Sequence, residues 1–143
     1  CDLEGPGQLS GRYSNDNGTV QIGRGSITKI PSPDHSFEMV VCIMVFHHID
    51  PKLYVEALQE IARVLMPKGK LLVIDHGQPT RWYGWLWWLM FSRHRFSRNC
   101  TDKVIKAAGK AGFKRVRLWG TTFGWTHAYI FSMDNKEPMW DKL

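Results

Sequence analysis

The chain has 143 residues, a formal net charge of +6 at neutral pH and a pI of about 9.4, and 43% of its residues are hydrophobic. This composition is that of one folded domain and excludes a disordered chain. Cys1, Cys42 and Cys100 are too few and too far apart for a disulfide framework or a zinc site, which favours a reducing compartment. The positive charge suits an anionic partner such as a membrane surface or nucleic acid, and suits an ordinary basic domain equally well.

The first half of the chain predicts two strands separated by a loop. Residues 20–23 (VQIG) form a short β-type run after the turn-like residues 15–18, and a Pro-Ser-Pro-Asp loop follows at residues 31–34. Residues 39–45 (MVVCIMV) are continuously apolar and rich in valine, and the run is short for a helix. It predicts a strand buried on both faces, as in a parallel sheet covered by helices.

A βαβ unit is predicted to continue from that strand. Apolar residues recur every three or four positions between residues 51 and 65, which indicates an amphipathic helix with proline near its first turn. Residues 67–69 (Pro-Lys-Gly) end the helix, and residues 71–74 (LLVI) predict another buried strand. Strand, helix, turn and strand form a right-handed crossover of an α/β sheet.

The last third of the chain predicts a helix at residues 101–111 and strands at residues 116–119 and 128–133. Before them, the segment from Trp82 to Phe91 holds four of the seven tryptophans. It is too short to span a bilayer, which needs about 20 apolar residues. It can be a cover over an active site or a peripheral membrane contact, since tryptophan favours the headgroup boundary.

Residues 25–76 carry several short motifs in a fixed order. They are Pro-x-x-Asp-x-Ser-Phe at residues 31–37, the strand ending His47-His48-Ile49, and Arg-Val-Leu-x-Pro-x-Gly at residues 63–69. With "KAAGKAGFKRVRL" at residues 106–118, this series resembles the class I S-adenosylmethionine-dependent methyltransferases, specifically the methyltransferase type 11 branch. Glu38 and Lys68 replace an aspartate and a glycine of the family pattern. The tryptophan-rich insertion followed by Asn99-Cys100 is similar to that of the small membrane-anchored thiol methyltransferases.

The resemblance implies an α/β fold with a Rossmann-like methyltransferase sheet that is incomplete at its N-terminal side and ends in an antiparallel strand pair. The family's glycine-rich cofactor loop has no counterpart, because too few residues separate "DLEGPGQ" (residues 2–8) from residue 25. We therefore expect the first strand and most of the second to be absent. The strand at residues 39–45 then has an open edge, which favours self-association or completion by another chain.

We expect one partial methyltransferase domain over residues 1–143. It comprises the remainder of the cofactor-binding half at 1–76, a tryptophan-rich lid or membrane-contact segment at 77–98, and a C-terminal helix and strands at 99–143. No signal peptide or transmembrane segment is predicted, so we expect an intracellular location, cytoplasmic or peripheral on a membrane.

The resemblance also implies S-adenosyl-L-methionine as the cofactor. In the family pattern Asp2 accepts from the ribose hydroxyls, Ser26 and Ile27 lie at the position that binds the adenine amino group, and Ile43 lines the methionine part. A solvated acid near the terminus is the alternative for Asp2, and a plain core position is the alternative for Ile43. Without the glycine loop, we expect this chain by itself not to bind the cofactor tightly.

His47 and His48 follow the strand at residues 39–45, at the rim where open α/β sheets bind ligands. They can be structural, or supply a general base, since imidazole titrates near pH ~6.5. A metal would need further ligands at suitable spacing, and no metal site is predicted. A thiol acceptor needs deprotonation, for which His47, His76 and His94 are the candidate catalytic residues.

The sequence therefore predicts a methyltransferase that acts on a small, apolar acceptor molecule. The alternative is a catalytically inactive pseudo-methyltransferase whose surface binds a partner. Nucleic-acid binding is not expected, because the lysines and arginines are scattered and no nucleic-acid motif is present.

Overall fold

The computed structural model describes residues 11–15, 18–77, 82, 85, 100–122 and 126–134. Its secondary structure runs in chain order as β1 (Gly11–Asn15), β2 (Gly18–Ile22), β3 (Phe37–Ile43), two short 3₁₀ turns (Phe46–His48 and Pro51–Leu53), α1 (Tyr54–Val64), β4 (Leu65–His76), α2 (Cys100–Lys110), β5 (Arg115–Thr122) and β6 (Thr126–Ser132).

Four strands form the central sheet, in the order β3-β4-β6-β5. β3 and β4 are parallel, with Met39 opposite Lys70 and Ile43 opposite Ile74, and α1 connects them. β6 is antiparallel to both β4 and β5. A parallel pair with a helical crossover that continues into an antiparallel pair confirms the predicted Rossmann-like α/β class and its antiparallel end.

Both helices cover the same face of this sheet. The apolar residues of α1 recur at helical spacing, and Leu58 and Ile61 are fully buried. They join one core with Val104 of α2, Val73 of β4 and Phe131 of β6. Burial of this shared apolar face holds the two helices on the sheet.

The burial of β3 differs from the prediction of a strand buried on both faces. Val40 and Cys42 face the helices, but Met39, Val41 and Ile43 are 47%, 48% and 58% exposed. The prediction is wrong because α1 and α2 both lie on the other face, so no helix of the described part of the chain covers these side chains. β3 is also an edge of the four-stranded sheet.

The strand predicted at residues 20–23 forms earlier and pairs locally. β2 ends at Ile22 and pairs antiparallel with β1, with Asn15 opposite Gly18, in a sheet of its own. It therefore does not join the parallel sheet that the family resemblance implies. Local pairing satisfies the backbone of β2 at a small cost in chain entropy, since the two strands are close in sequence.

The junction between α1 and β4 is tighter than predicted. Helix α1 ends at Val64 and β4 begins at the next residue, so Pro67 and Gly69 lie within the strand. The register shifts between Phe37 and Met39, which leaves residues 66–69 as a bulge opposite a single residue of β3. A Cβ on Gly69 would lie 2.9 Å from the carbonyl oxygen of Met66, so this bulge requires glycine.

The helices of the structure are short compared with a bilayer. α1 and α2 have 11 residues each, whereas a spanning helix needs about 20. Within the described ranges, no helix is long and apolar enough to cross a membrane.

A candidate ligand-binding rim at the carboxyl ends of β3 and β4

The parallel strands β3 and β4 end at the same edge of the sheet. Beyond Ile43 the chain turns out of the sheet at Met44, which has a φ of 55° and donates its N–H to the carbonyl oxygen of Ile74 at 2.8 Å. This left-handed backbone is uncommon for a residue with a side chain and makes a sharp exit. The 3₁₀ turn that carries His47 is thereby placed next to the end of β4.

Asp75 is the central polar group of this rim and is only 1% exposed. Its Oδ1 accepts from the Nδ1 of His47 at 2.8 Å and from the backbone N–H of His76 at 2.7 Å. Its Oδ2 accepts from the backbone N–H of His47 at 3.3 Å. Because a carboxylate only accepts hydrogen bonds, the Nδ1 of His47 carries a hydrogen.

Three imidazole rings cluster beside Asp75. The ring of His47 lies 3.9 Å from that of His48 and 5.0 Å from that of His76, measured between centroids. Burial lowers the pKa of His76 below its ordinary value of 6.5, and the nearby His47 and His48 lower it further, against the opposing effect of Asp75. His76 is therefore uncharged at neutral pH.

Side chains of α1 and α2 hold this rim in place through hydrogen bonds. The hydroxyl of Tyr54 donates to the carbonyl oxygen of Phe46 at 2.8 Å and lies 3.4 Å from the sulfur of Cys100. The hydroxyl of Thr101 donates to the carbonyl oxygen of His76 at 2.7 Å. These bonds connect the 3₁₀ turn and the end of β4 to both helices.

Two cysteines near the rim are buried thiols. Burial raises the pKa of Cys42 and that of Cys100 to about 11 each. At neutral pH both carry their hydrogen and are poor nucleophiles. They are packing residues.

The loop before β3 is held by Arg63 of α1. Its guanidinium donates to both oxygens of Glu60, to the carbonyl oxygens of Ile30 and Ser32, and to Asp34. The Arg63 partner lowers the pKa of Glu60 and leaves that carboxylate charged. Arg63 therefore connects two of the sequence motifs, the Pro-x-x-Asp-x-Ser-Phe loop and the Arg-Val-Leu-x-Pro-x-Gly motif, through hydrogen bonds.

The structure brings together some of the predicted site residues. His47 and His76 meet at the rim, and Ile43 lies there with its side chain exposed, which rules out the core interpretation. Ile27 is half-buried against the core. Ser26 is exposed, and its hydroxyl accepts from the backbone N–H of Thr28 at 3.3 Å and bonds the Thr28 hydroxyl at 2.9 Å.

Two predicted site residues, Asp2 and His94, lie outside the described residues. The metal interpretation of His47 and His48 gains no support, since the described part of the chain has no group of three or more histidine, cysteine, aspartate or glutamate side chains arranged for a metal ion.

Sequence reasoning missed Asp75, which organises the rim. Its signal was an acidic residue directly after the apolar run at residues 71–74. A buried strand that ends in a carboxylate requires a hydrogen-bonding partner, and here that partner is 28 residues earlier in the chain.

Residues 6–73 match the family model of a methyltransferase domain. Over 74 residues the chain is 30% identical to an uncharacterised methyltransferase of Bacillus subtilis, an alignment that covers 50% of this chain and 28% of that protein. Over 64 residues it is 33% identical to a ubiquinone/menaquinone biosynthesis C-methyltransferase of Pseudomonas fluorescens, covering 45% of this chain and 24% of that protein. The matches thus span only about a quarter of the length of these relatives.

Solved structures share the fold. A methyltransferase of Thermotoga maritima that depends on S-adenosylmethionine superposes with a TM-score of 0.58 at 19% identity, covering 77% of this chain and 62% of that one. A second, from Methanosarcina mazei, has a TM-score of 0.55 at 17% identity and covers 76% of this chain and 64% of that one. At these identities the likeness shows the Rossmann-like fold alone.

Proposed function

We propose that this chain belongs to the class I S-adenosylmethionine-dependent methyltransferases, in the type 11 branch, and forms part of an enzyme that methylates a small, apolar acceptor molecule. The match of residues 6–73 to the family model of a methyltransferase domain supports this proposal. The observation that carries this proposal is the rim at the carboxyl ends of β3 and β4, where the exposed Ile43 lies at the same edge as the pair of His47 and Asp75. Ligands of open α/β sheets bind at this edge.

Ile43 at the rim and Ser26 in the loop before β3 offer groups suited to parts of S-adenosylmethionine. Ile43 offers an exposed apolar surface to the methionine part. Ser26 accepts one hydrogen bond from Thr28 and shares a second with the Thr28 hydroxyl, so it can still accept from an adenine amino group if it donates in the shared bond. In this proposal Ile27 supports Ser26 from the core, and Asp2 binds the ribose.

When bound, this cofactor supplies a methyl group on a sulfonium, which is already a good leaving group. The protein's part is to position the acceptor and to exclude water. An apolar acceptor is supported by Trp82 and Trp85, which are 80% and 46% exposed and three residues apart in helical conformation. Exposed tryptophan side chains are typical of a cover over a site or of a membrane contact.

Saturation-transfer NMR tests cofactor binding, because it detects ligands that bind weakly. We expect signal transfer from the chain to S-adenosylmethionine, competition by S-adenosylhomocysteine, and loss of the signal in Ile43→Asp. Phe37→Asp is the matched control, since Phe37 is exposed on the same strand at its opposite end. Absence of transfer, or equal loss in both variants, would contradict the proposal.

The alternative function, a non-catalytic module that binds a partner, is favoured by a different observation. The uncovered side of β3 exposes Met39, Val41 and Ile43 next to an open strand edge. Patches of this kind mark interaction surfaces. A chain that does not bind the cofactor but associates through β3 would fit this second function.

A further inference from the structure

We propose that Arg63 is a positioning residue for the adenine part of the cofactor. It holds the loop of residues 25–34, so that Ser26 presents its hydroxyl at one place. The inference rests on the proposed function and deepens it, because it adds a residue of α1 that acts on cofactor binding through the loop.

The guanidinium of Arg63 uses every hydrogen-bond donor that it has. An arginine side chain carries five N–H donors. Nε and Nη2 of Arg63 donate to the two carboxylate oxygens of Glu60 at 2.9 and 2.8 Å. Nη2 also donates to the carbonyl oxygen of Ile30 at 3.1 Å, and Nη1 donates to the carbonyl oxygen of Ser32 at 3.0 Å and to Asp34. Lysine offers three donors in no fixed plane, so it cannot replace this set.

The bonds to Ile30 are the ones that hold the loop most firmly. Its backbone N–H donates to Oε1 of Glu60 at 2.9 Å, so both backbone polar groups of Ile30 are bound by the pair of Glu60 and Arg63. The side chains of Glu60 and Arg63 are 17% and 33% exposed, whereas that of Asp34 is 66% exposed. Hydrogen bonds gain strength where water is partly excluded, and an exposed ion pair contributes little. Removal of the arginine should therefore release Ile30 first.

Close contacts within the loop connect Ile30 to Ser26. A Cβ on Gly25 would lie 3.0 Å from Cδ of Pro31, the residue after Ile30, so these two parts of the loop are packed against each other. The backbone N–H of Lys29 donates to the carbonyl oxygen of Ser26 at 3.0 Å, which closes a turn over residues 26–29. A shift of Ile30 would therefore move the turn that carries Ser26.

A second attachment of the loop does not need the guanidinium. The backbone N–H groups of His35 and Ser36 donate to the carbonyl oxygens of Arg63 and Val64, at 3.0 and 2.9 Å. Because carbonyl groups in the last turn of a helix have no donor within that helix, this attachment uses the backbone of α1 alone. Loss of the Arg63 side chain should thus loosen the loop near Ile30 and leave its connection to β3 intact.

The first experiment measures the loop by amide hydrogen exchange and needs no ligand. In Arg63→Met we expect the Ile30 amide to exchange faster than in the wild type by on the order of 10-fold, because Glu60 is no longer held and the bond to its carboxylate weakens. The Ser36 amide should keep its rate. Arg63→Lys, which keeps the charge but not the fork of donors, should resemble Arg63→Met. Equal exchange of Ile30 in the wild type and in Arg63→Met overturns the proposal.

The second experiment measures which part of the ligand contacts the chain. Saturation-transfer NMR with S-adenosylhomocysteine compares the transfer to its adenine hydrogens with the transfer to the methylene hydrogens of its amino-acid part. We expect this ratio to fall in Arg63→Met. Gly25→Ala, whose methyl group would press against Pro31, displaces the same turn without changing α1 and should lower the ratio as well. A variant that merely destabilised the chain would lower both signals together.

The matched control is Arg117→Met, which removes the same side chain from an exposed position of β5 and should leave both measurements unchanged. Faster exchange at Ile30 with an unchanged ratio in Arg63→Met overturns the positioning role, because the arginine then only holds the loop. If Arg63→Met fails to fold, an unchanged ratio in Gly25→Ala overturns that role instead. Absence of transfer from the wild-type chain overturns the proposed function together with the positioning role, and the exchange of Ile30 then still tests whether Arg63 holds the loop.

Discussion

Single polar side chains, one buried and one partly exposed, connect the loops of this protein to the rest of the fold. Asp75 binds both the imidazole and the backbone of His47, and Arg63 binds the backbone of Ile30 and Ser32. Polar groups that leave water must find partners, so a few such residues determine where the loops lie. The rim is therefore sensitive to single substitutions that barely change the volume of the core.

Tyr54→Phe tests the contribution of one buried hydroxyl. The change leaves the ring packed edge-on against Phe46, at 5.5 Å between centroids, but removes the hydrogen bond to the Phe46 carbonyl. We expect the free energy of unfolding to fall by about 1 kcal/mol, and by up to ~3 kcal/mol if that carbonyl finds no other donor. Urea denaturation measures the loss. Tyr54→Leu, which also removes the ring, should cost more, and equal costs would contradict the assigned role of the hydroxyl.

His76 predicts how stability depends on pH. Its pKa is lowered in the folded state, so the unfolded chain binds a proton more readily. The stability that the neutral side chain contributes is complete above the ordinary value of 6.5 and is lost as the pH falls below it towards the folded pKa. Thermal melts across this range should show a falling midpoint.

The matched variant for this pH dependence is His76→Gln, which removes the titrating group. It should flatten the fall in midpoint below the ordinary histidine pKa. If the midpoint falls equally steeply with pH in the wild type and in His76→Gln, the pH dependence comes from other groups.

At the scale of elements, the helices that cover a sheet determine which side chains of a strand are buried. β3 and β4 each contain a continuously apolar run, at residues 39–43 and 71–74, and the two strands pair in parallel. In β4, Leu71 and Val73 are buried beneath α1 and α2, and Leu72 and Ile74 are half-buried on the other side. In the described part of the chain, β3 has a partner strand on one side and helices on one face, so Met39, Val41 and Ile43 on its second face are exposed.

The tryptophan-rich segment leads to a testable expectation of binding to lipid. Trp82 and Trp85 are exposed, and the formal net charge is +6. We expect co-sedimentation with vesicles of anionic lipid that survives high salt, because tryptophan inserts at the headgroup boundary. Trp82→Ala with Trp85→Ala should abolish it, while Phe37→Ala, an exposed aromatic outside the segment, should not.

Absence of binding even at low salt, or unchanged binding in the double variant, would leave the segment as a plain cover over the site. Equal binding to neutral and to anionic vesicles would show that the positive charge contributes nothing to binding.

At the scale of the whole molecule, the helices among the described residues cover one face of the central sheet, and the sheet has an apolar edge strand. Met39, Val41 and Ile43 line the uncovered side of β3. Exposed apolar strand edges favour pairing between chains. The rim lies at the carboxyl end of this same strand, so we expect any association through β3 to change access to the rim as well.

Self-association is the expected consequence and can be measured by sedimentation velocity. We expect the wild type to form concentration-dependent assemblies and Val41→Lys to remain monomeric, because a charge at the centre of the exposed face opposes burial. Gln59→Lys adds the same charge to an exposed position of α1 and should associate like the wild type. A monomeric wild type would contradict the expectation, as would equal behaviour of the two variants.

The sequence by itself determined most of the helices and strands, and its motifs indicated the methyltransferase family. Apolar spacing predicted α1 and α2 nearly to their ends, and continuous apolar runs predicted β3 and β4 as parallel neighbours. The motifs predicted the methyltransferase domain that residues 6–73 match. These features follow from residues within about one element of each other, so local pattern is sufficient for them.

Only the tertiary structure decided which faces are covered and which side chains meet. The exposure of Val41 and the bond between His47 and Asp75 depend on elements that are distant in sequence. Periodicity shows that a strand is apolar but not how many layers cover it. A carboxylate at a strand end shows the need for a partner, and only the fold brings the imidazole to it.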